Sequence, residues 1–307
     1  MLSHDLLEGV LGRAGLASDI SVYEHFPPNY IAYARRMHRW IRGDWQLLPW
    51  LSPFIPVTGG RLVRNPLQLI DRWKSFENIR RRLFFPLLFA FLVASWFLAP
   101  SALIVWTLLG VFAPAAYLLV GIASRAVGGF RRSERRGLWM ALRSLSRIDI
   151  QRWMLSLSFT CPLAVVTVDA IARSLTRMFV TRRRLLEWVT FSASSALVRV
   201  GSMRKAVWLE MWISTLMAMA ALSLIAIIRP EALPYSAPVL LLWIAAPELA
   251  RWLSMPPKDV EPQTLDQRDQ AELRELAFRT WHFFESFVEP NSHWLPPDHF
   301  QEPPRGE

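Results

Sequence analysis

One cysteine, Cys161, stands in a chain of 307 residues, so neither an internal disulfide nor a cysteine-based metal site can form. No secretory signal opens the chain: residues 1–30 carry His4, Asp5, Glu8, Asp19, Glu24 and Pro27-Pro28 without an apolar core of the required length. There is no repeat of fixed period and no low-complexity tract. The glycine pairs 59–60 and 128–129 lack the pattern of a phosphate loop and read as turns. Acidic residues are the minority, 25 against 35 Lys and Arg, a formal net charge of +10. In a water-soluble chain that excess would point to nucleic acid. Here the arginines flank apolar blocks, so no nucleic acid partner is expected, and membrane lipids with anionic headgroups account for the charge.

Apolar residues are plentiful: 52% of the chain, with 15 Trp and 18 Phe, at a mean hydropathy of +0.22. They come in blocks, and blocks near twenty residues long cross a bilayer. Spans are expected at about 83–100, 103–123, 207–228 and 234–253, the first pair joined by a tight Pro-Ser-Ala turn. Residues 154–172 are apolar but hold Pro162 and Asp169 between two Arg-rich stretches, so an interfacial or re-entrant element is expected there. Four spans bring both chain ends to the cytoplasm of a bacterial inner membrane. Residues 66–82 read as an amphipathic helix along the headgroups, with Leu67, Leu69, Ile70, Trp73 and Phe76 on one side and Arg72, Lys74 and Arg80 to Arg82 on the other. After Pro256-Pro257 a charged linker leads to an amphipathic helix at about 270–289. Most tryptophans are read as an interfacial belt, with Trp50 and Trp96 the alternatives for a glycan path.

The polar chemistry sits ahead of the spans. Residues 1–16 have helical apolar spacing, 17–26 alternate as a short strand, and Asn29 can cap a helix running to about Gln46. That helix carries Arg36-Met-His-Arg39-Trp40. Guanidinium forks suit a diphosphate, and an indole offers a flat face to a sugar. Asp5, in Ser3-His4-Asp5, can take a proton from an acceptor hydroxyl. The same residues also fit an ordinary helix-start Asp and a solvated basic face. His4, His25, His38, His282, His293 and His299 do not fall at metal-ligand spacing and read as structural or solvent residues. The polar set and the spans together point to a membrane-embedded transferase of a nucleotide sugar. The reading from another class is a membrane anchor linking soluble catalytic domains.

Three stretches carry a family resemblance: Ser3-His-Asp-Leu-Leu-Glu-Gly9, Val22-Tyr-Glu-His-Phe-Pro-Pro-Asn-Tyr30, and Arg36-Met-His-Arg-Trp-Ile-Arg-Gly-Asp-Trp-Gln46. They resemble the end of the inverting, processive glycosyltransferase domain of cyclic β-1,2-glucan synthases. Glu272-Leu-Arg-Glu-Leu-Ala-Phe-Arg-Thr-Trp-His-Phe-Phe284 and Trp294-Leu-Pro-Pro-Asp-His-Phe-Gln-Glu302 resemble the opening of the glycoamylase-like domain that follows the membrane region in that family. The resemblance implies a predominantly α fold of polytopic membrane helices, with an N-terminal remnant of a GT-A-type α/β glycosyltransferase domain. It implies three parts: 1–82 the transferase end with its interfacial helix, 83–255 the membrane region, and 256–307 a linker and the start of the glycoamylase-like domain. Asp5 matches the catalytic base, and Arg36, Arg39 and Trp40 match the Gln-x-x-Arg-Trp motif. Arg39 would lie near the diphosphate and Trp40 under the acceptor sugar, with Arg36 departing from the family's Gln. UDP-glucose and a glucan acceptor are the implied partners. A divalent cation, Mg or Mn, is implied for the full-length enzyme, with ligands outside this chain. On that basis Met1 is read as a start inside a longer open reading frame, and the chain alone as inactive.

Overall fold

Asn29 opens the first long helix of the chain: its Oδ1 accepts from the Ala32 amide at 2.9 Å and satisfies a donor that the first helical turn leaves free. The computed structural model describes residues 4–12, 14–15, 21, 26–56, 61–118, 120–121, 147–185, 203–255 and 265–296. The chain divides into two units, Met1–Met255 and Pro256–Glu307.

In the first unit, α1 (Asp5–Leu11) precedes the capped helix α2 (Tyr30–Gln46). The strand expected at 17–26 falls almost wholly outside the described residues. After α2 a short 3₁₀ turn at Leu48–Leu51 leads into an antiparallel pair, β1 (Phe54–Pro56) and β2 (Leu62–Arg64), with Ile55 opposite Val63. Pro53 and Pro56 bracket a two-stranded edge, where a missing amide is tolerated. Asn65 holds its base: Nδ2 donates to the carbonyls of Trp50 and Ser52 at 2.6 and 2.8 Å.

Helix α3 (Leu69–Arg82) runs into α4 (Phe84–Leu98) through Leu83, which keeps helical dihedrals. The expected interfacial helix and first span are therefore one apolar rod, Leu69–Leu98. Leu69, Ile70, Trp73 and Phe76 are exposed on it. Arg72 does not lie on a solvated face as expected: its Nε and Nη2 donate to the Leu51 carbonyl at 2.9 and 2.5 Å. After a 3₁₀ turn at Pro100–Ala102 comes α5 (Leu103–Phe112). The apolar helix described there ends at Leu118, short of the expected span 103–123, whose last residues lie outside the described ones.

The expected interfacial or re-entrant stretch is two helices, α6 (Arg147–Ser158) and α7 (Thr160–Leu175), which meet at Phe159 with a bend of 59°. Pro162 explains the break. In the first turn of α7 its missing amide costs little, but it cannot bond back to Ser158. The indole of Trp243 donates to the nearby Leu157 carbonyl at 3.0 Å. Helices α8 (Met203–Ile228) and α9 (Leu233–Leu253) form a hairpin through Arg229-Pro230-Glu231. Three helices, Leu69–Leu98, Met203–Ile228 and Pro230–Leu253, are long and apolar enough to cross a membrane, or four if the bent pair is one span. The chain is a membrane protein.

The bundle core is aromatic as well as aliphatic. Trp96 and Trp243 are fully buried, with ring centroids 6.1 Å apart, among Leu92, Leu157, Ile225 and Leu240. This corrects two expectations: neither tryptophan belongs to an interfacial belt, and Trp96 cannot line a glycan path. Its Nε1 donates to Thr107 Oγ1 at 3.0 Å, which leaves the ring no free polar edge. In the second unit, α10 (Gln267–Phe287) starts three residues before its expected bound, capped by Asp266 through the Asp269 amide at 2.7 Å.

Candidate functional site at the head of the membrane bundle

The helix with the arginines and the tryptophan is bound to the bundle along its length. At its start, the Tyr30 amide donates to Ser254 Oγ at 2.9 Å, and the Tyr30 ring stacks on Phe159 at the bend, 5.2 Å between centroids. Ile31 and Ala34 are buried against Leu163, Val207, Met211 and Ala246. One turn on, the Arg35 guanidinium lies 3.7 Å from Glu210 of α8. His38 Nε2 lies 3.0 Å from Asp169 Oδ2 of α7, and Arg173 Nε donates to the same carboxylate at 2.7 Å. At the far end Ser174 Oγ donates to the Arg42 carbonyl, and Gln46 Nε2 to the Leu185 carbonyl. Asp169, anomalous within an apolar run, thus answers a histidine and an arginine. Burial pushes His38 below its ordinary range, against the pull of Asp169 upward. Burial also pushes the Tyr33 hydroxyl up.

Glu248 near the end of α9 gathers three donors: Arg204 Nε at 2.8 Å, Trp208 Nε1 at 2.7 Å and Arg251 Nε at 2.8 Å. Glu210 and Glu248 both face the end of the hairpin where α2 lies.

The face of α2 left over presents the candidate residues. Arg36 lies over Trp40, its guanidinium carbon 4.4 Å from the ring centroid, as i, i+4 spacing allows. Trp40 is 38% exposed, so it is not an inward-packed core residue. Arg39 is half-buried on the same helix. Spacing foresaw all three on one helix; the contact of Arg36 with Trp40 was not anticipated.

Asp5 is exposed at the first position of α1. What holds that helix is a set of residues the sequence reading left aside. His4 Nε2 donates to Asp44 Oδ1 at 2.9 Å, while Arg82 Nε donates to Asp44 Oδ2 at 2.5 Å. The Asp44 side chain is 5% exposed and that of His4 10%. Leu7 of α1 packs with Leu47 and Leu67 beneath it. The available signal was Gly43-Asp44: a Cβ on Gly43 would touch the His4 ring at 3.5 Å, so the residue that opens α1 lies against α2 there.

Among the described residues no three His, Cys, Asp or Glu side chains gather as metal ligands. No protein-family model matches the chain. A curated relative, the cyclic beta-(1,2)-glucan synthase NdvB of Rhizobium meliloti (strain 1021), is 34% identical over 313 residues, covering 99% of this chain and 10% of that protein.

This chain is homologous to one segment of a cyclic β-(1,2)-glucan synthase. It spans about a tenth of the synthase it matches. The alignment runs through α1, α2, the bent pair and the α8–α9 hairpin alike, so the membrane bundle and the polar helices on it belong to the same homologous segment.

Proposed function

We propose that this chain is part of a membrane-bound inverting glucosyltransferase that moves glucose from UDP-glucose to a growing β-1,2-glucan. The observation that carries the reading is the 34% identity to a cyclic β-(1,2)-glucan synthase over 99% of the chain. Asp5 takes the proton of the acceptor 2-hydroxyl. The oxygen attacks the anomeric carbon from the face opposite the diphosphate, and the bond to UDP breaks with its electron pair leaving on the diphosphate. Arg39 offers a fork of donors to the charge that grows there. Trp40 carries the acceptor ring on one face. Arg36 backs the indole from the other side, a role that fits its guanidinium over the ring better than a second diphosphate contact. Residues 1–82 are the transferase end, 83–255 the membrane region, and 256–307 the linker and opening of a glycoamylase-like domain. The whole lies in a bacterial inner membrane with both ends cytoplasmic.

One observation favours the alternative, a non-catalytic anchor: α2 is tied to the bundle through Arg35, His38 and Tyr30. Substitutions at Arg39 and Trp40 in the complete synthase separate the two readings. Arg39→Lys should lower transfer because a point charge cannot reproduce a bidentate fork. Trp40→Ala should shorten products while donor hydrolysis persists, and Trp40→Phe should recover part of the loss. If the variants change only the amount of protein in the membrane, with unchanged activity per molecule, the anchor reading stands.

A further inference from the structure

Asp44 belongs neither to the base nor to the arginine–tryptophan set, yet it is the most enclosed carboxylate near them. Both its oxygens are engaged, one by His4 of the segment before α1 and one by Arg82 at the end of α3. It joins three pieces of chain that are far apart in sequence: the residue next to the candidate base, the helix with Trp40, and the last turn before the membrane helix α4. His4 is committed by this contact. Nε2 meets the carboxylate, and Nδ1 is buried with no hydrogen-bond partner among the described residues. A buried nitrogen left unsatisfied is a cost. The ring is held at Nε2 alone.

We propose that Asp44 and His4 are positioning residues for glucosyl transfer. Asp44 fixes His4, His4 fixes the start of α1, and Asp5 is thereby held against the arginine–tryptophan helix in register with the chain entering the membrane at Arg82. The proposal rests on the reading of Asp5 as the base. Neither Asp44 nor His4 touches a reacting atom, so their removal should lower turnover while leaving donor binding in place. Displacing a catalytic group by about 1 Å costs on the order of 10²-fold in rate.

The test is made on the complete synthase in membranes, with rates normalised to the amount of inserted enzyme. Asp44→Asn should lower kcat by about 10–100-fold with the KM for UDP-glucose within about twofold of wild type. His4 gives an independent measurement that leaves the Asp44–Arg82 pair intact, so the test survives if Asp44→Asn fails to insert. The amide nitrogen of Gln falls where Nε2 lies and that of Asn where Nδ1 lies. His4→Gln should therefore retain most of the turnover, and His4→Asn should lose it as Asp44→Asn does. Equal kcat values for His4→Gln and His4→Asn, or a fall confined to the donor KM, overturn the proposal. Asp5→Asn measured alongside keeps the two levels apart. If it abolishes transfer while His4→Asn and Asp44→Asn run at the wild-type rate, the positioning role alone is wrong. If Asp5→Asn itself keeps the wild-type rate, the reading of the base falls.

Discussion

Gly110 is where the α4–α5 hairpin closes most tightly, and replacing it by alanine tests the packing of the bundle. A Cβ added there would lie 2.8 Å from Leu92 Cγ and nearer still to its Cδ2, with Phe91 at 3.4 Å. Leu92 has no room to swing aside: it is 0% exposed and packs in the cluster with Trp96, Trp243 and Leu240. The methyl group must therefore push the helices apart or force Leu92 off its rotamer, at a cost of about 1–3 kcal/mol. In a chain of this size each kcal/mol is worth about 2–4 °C of Tm. Thermal unfolding of detergent-solubilised protein should show a drop of several degrees for Gly110→Ala. A double-variant cycle gives a sharper test. Leu92→Ala alone opens a cavity and destabilises, but in the Gly110→Ala background it also removes the clash. The double variant should be more stable than the sum of the single effects by about 1 kcal/mol or more. Strict additivity, or an unchanged Tm for Gly110→Ala, would refute the close approach of the two helices.

Two further outcomes follow from the contacts of α2 and from the topology. His38 faces Asp169, Arg42 and Arg173, and burial holds it below its ordinary 6.5, so the folded state binds this proton less readily than the unfolded chain. Its contribution is fully present above that value and is lost as pH falls through the lowered one. Tm measured from pH 8 down to 5 should fall below about pH 6.5 in wild type and less steeply in His38→Gln, an equal slope contradicting the assignment. For topology, cysteines placed at Ser133 and Ser192, both outside the described residues, should label from the cytoplasm and one at Glu231 from the opposite side. Ser236 lies in the same hairpin but is fully buried and unsuited to labelling. Labelling of Ser192 from the Glu231 side would make the bent pair a true crossing.

The sequence was most legible where one local rule decided the outcome. Asn29 announced its helix because a side-chain oxygen three residues ahead of a free amide is a local device, and the run 30–46 followed. The α8–α9 hairpin was legible from length and hydropathy, with Arg229-Pro230-Glu231 as its turn. The bend at Phe159 was half legible: Pro162 and Asp169 marked an irregular span, but only the partners of Asp169 on α2 explain why a charge is kept there. Long-range choices left no local trace. Arg72 and Arg82 share the polar stripe of an amphipathic helix, yet they answer Leu51 and Asp44, contacts set by how β1, β2 and α1 fold back on α2. Trp96 reads as interfacial because tryptophan near a span end usually is, and Trp243 is grouped with it although it sits mid-span. A hydroxyl and a backbone carbonyl inside the bundle, of Thr107 and Leu157, supply partners that draw them into the core.

Asp5→Asn in the complete synthase tests most directly whether this chain carries the base of a glucosyltransferase. An amide keeps the shape of the carboxylate but cannot accept the acceptor proton, and general-base catalysis is typically worth about 10²–10⁴-fold. Incorporation of glucose from UDP-glucose into membrane glucan should fall by at least about a hundredfold while nucleotide-sugar binding, measured separately, stays close to wild type. Transfer at more than about a tenth of the wild-type rate would contradict the claim, because a missing base cannot leave so much turnover behind.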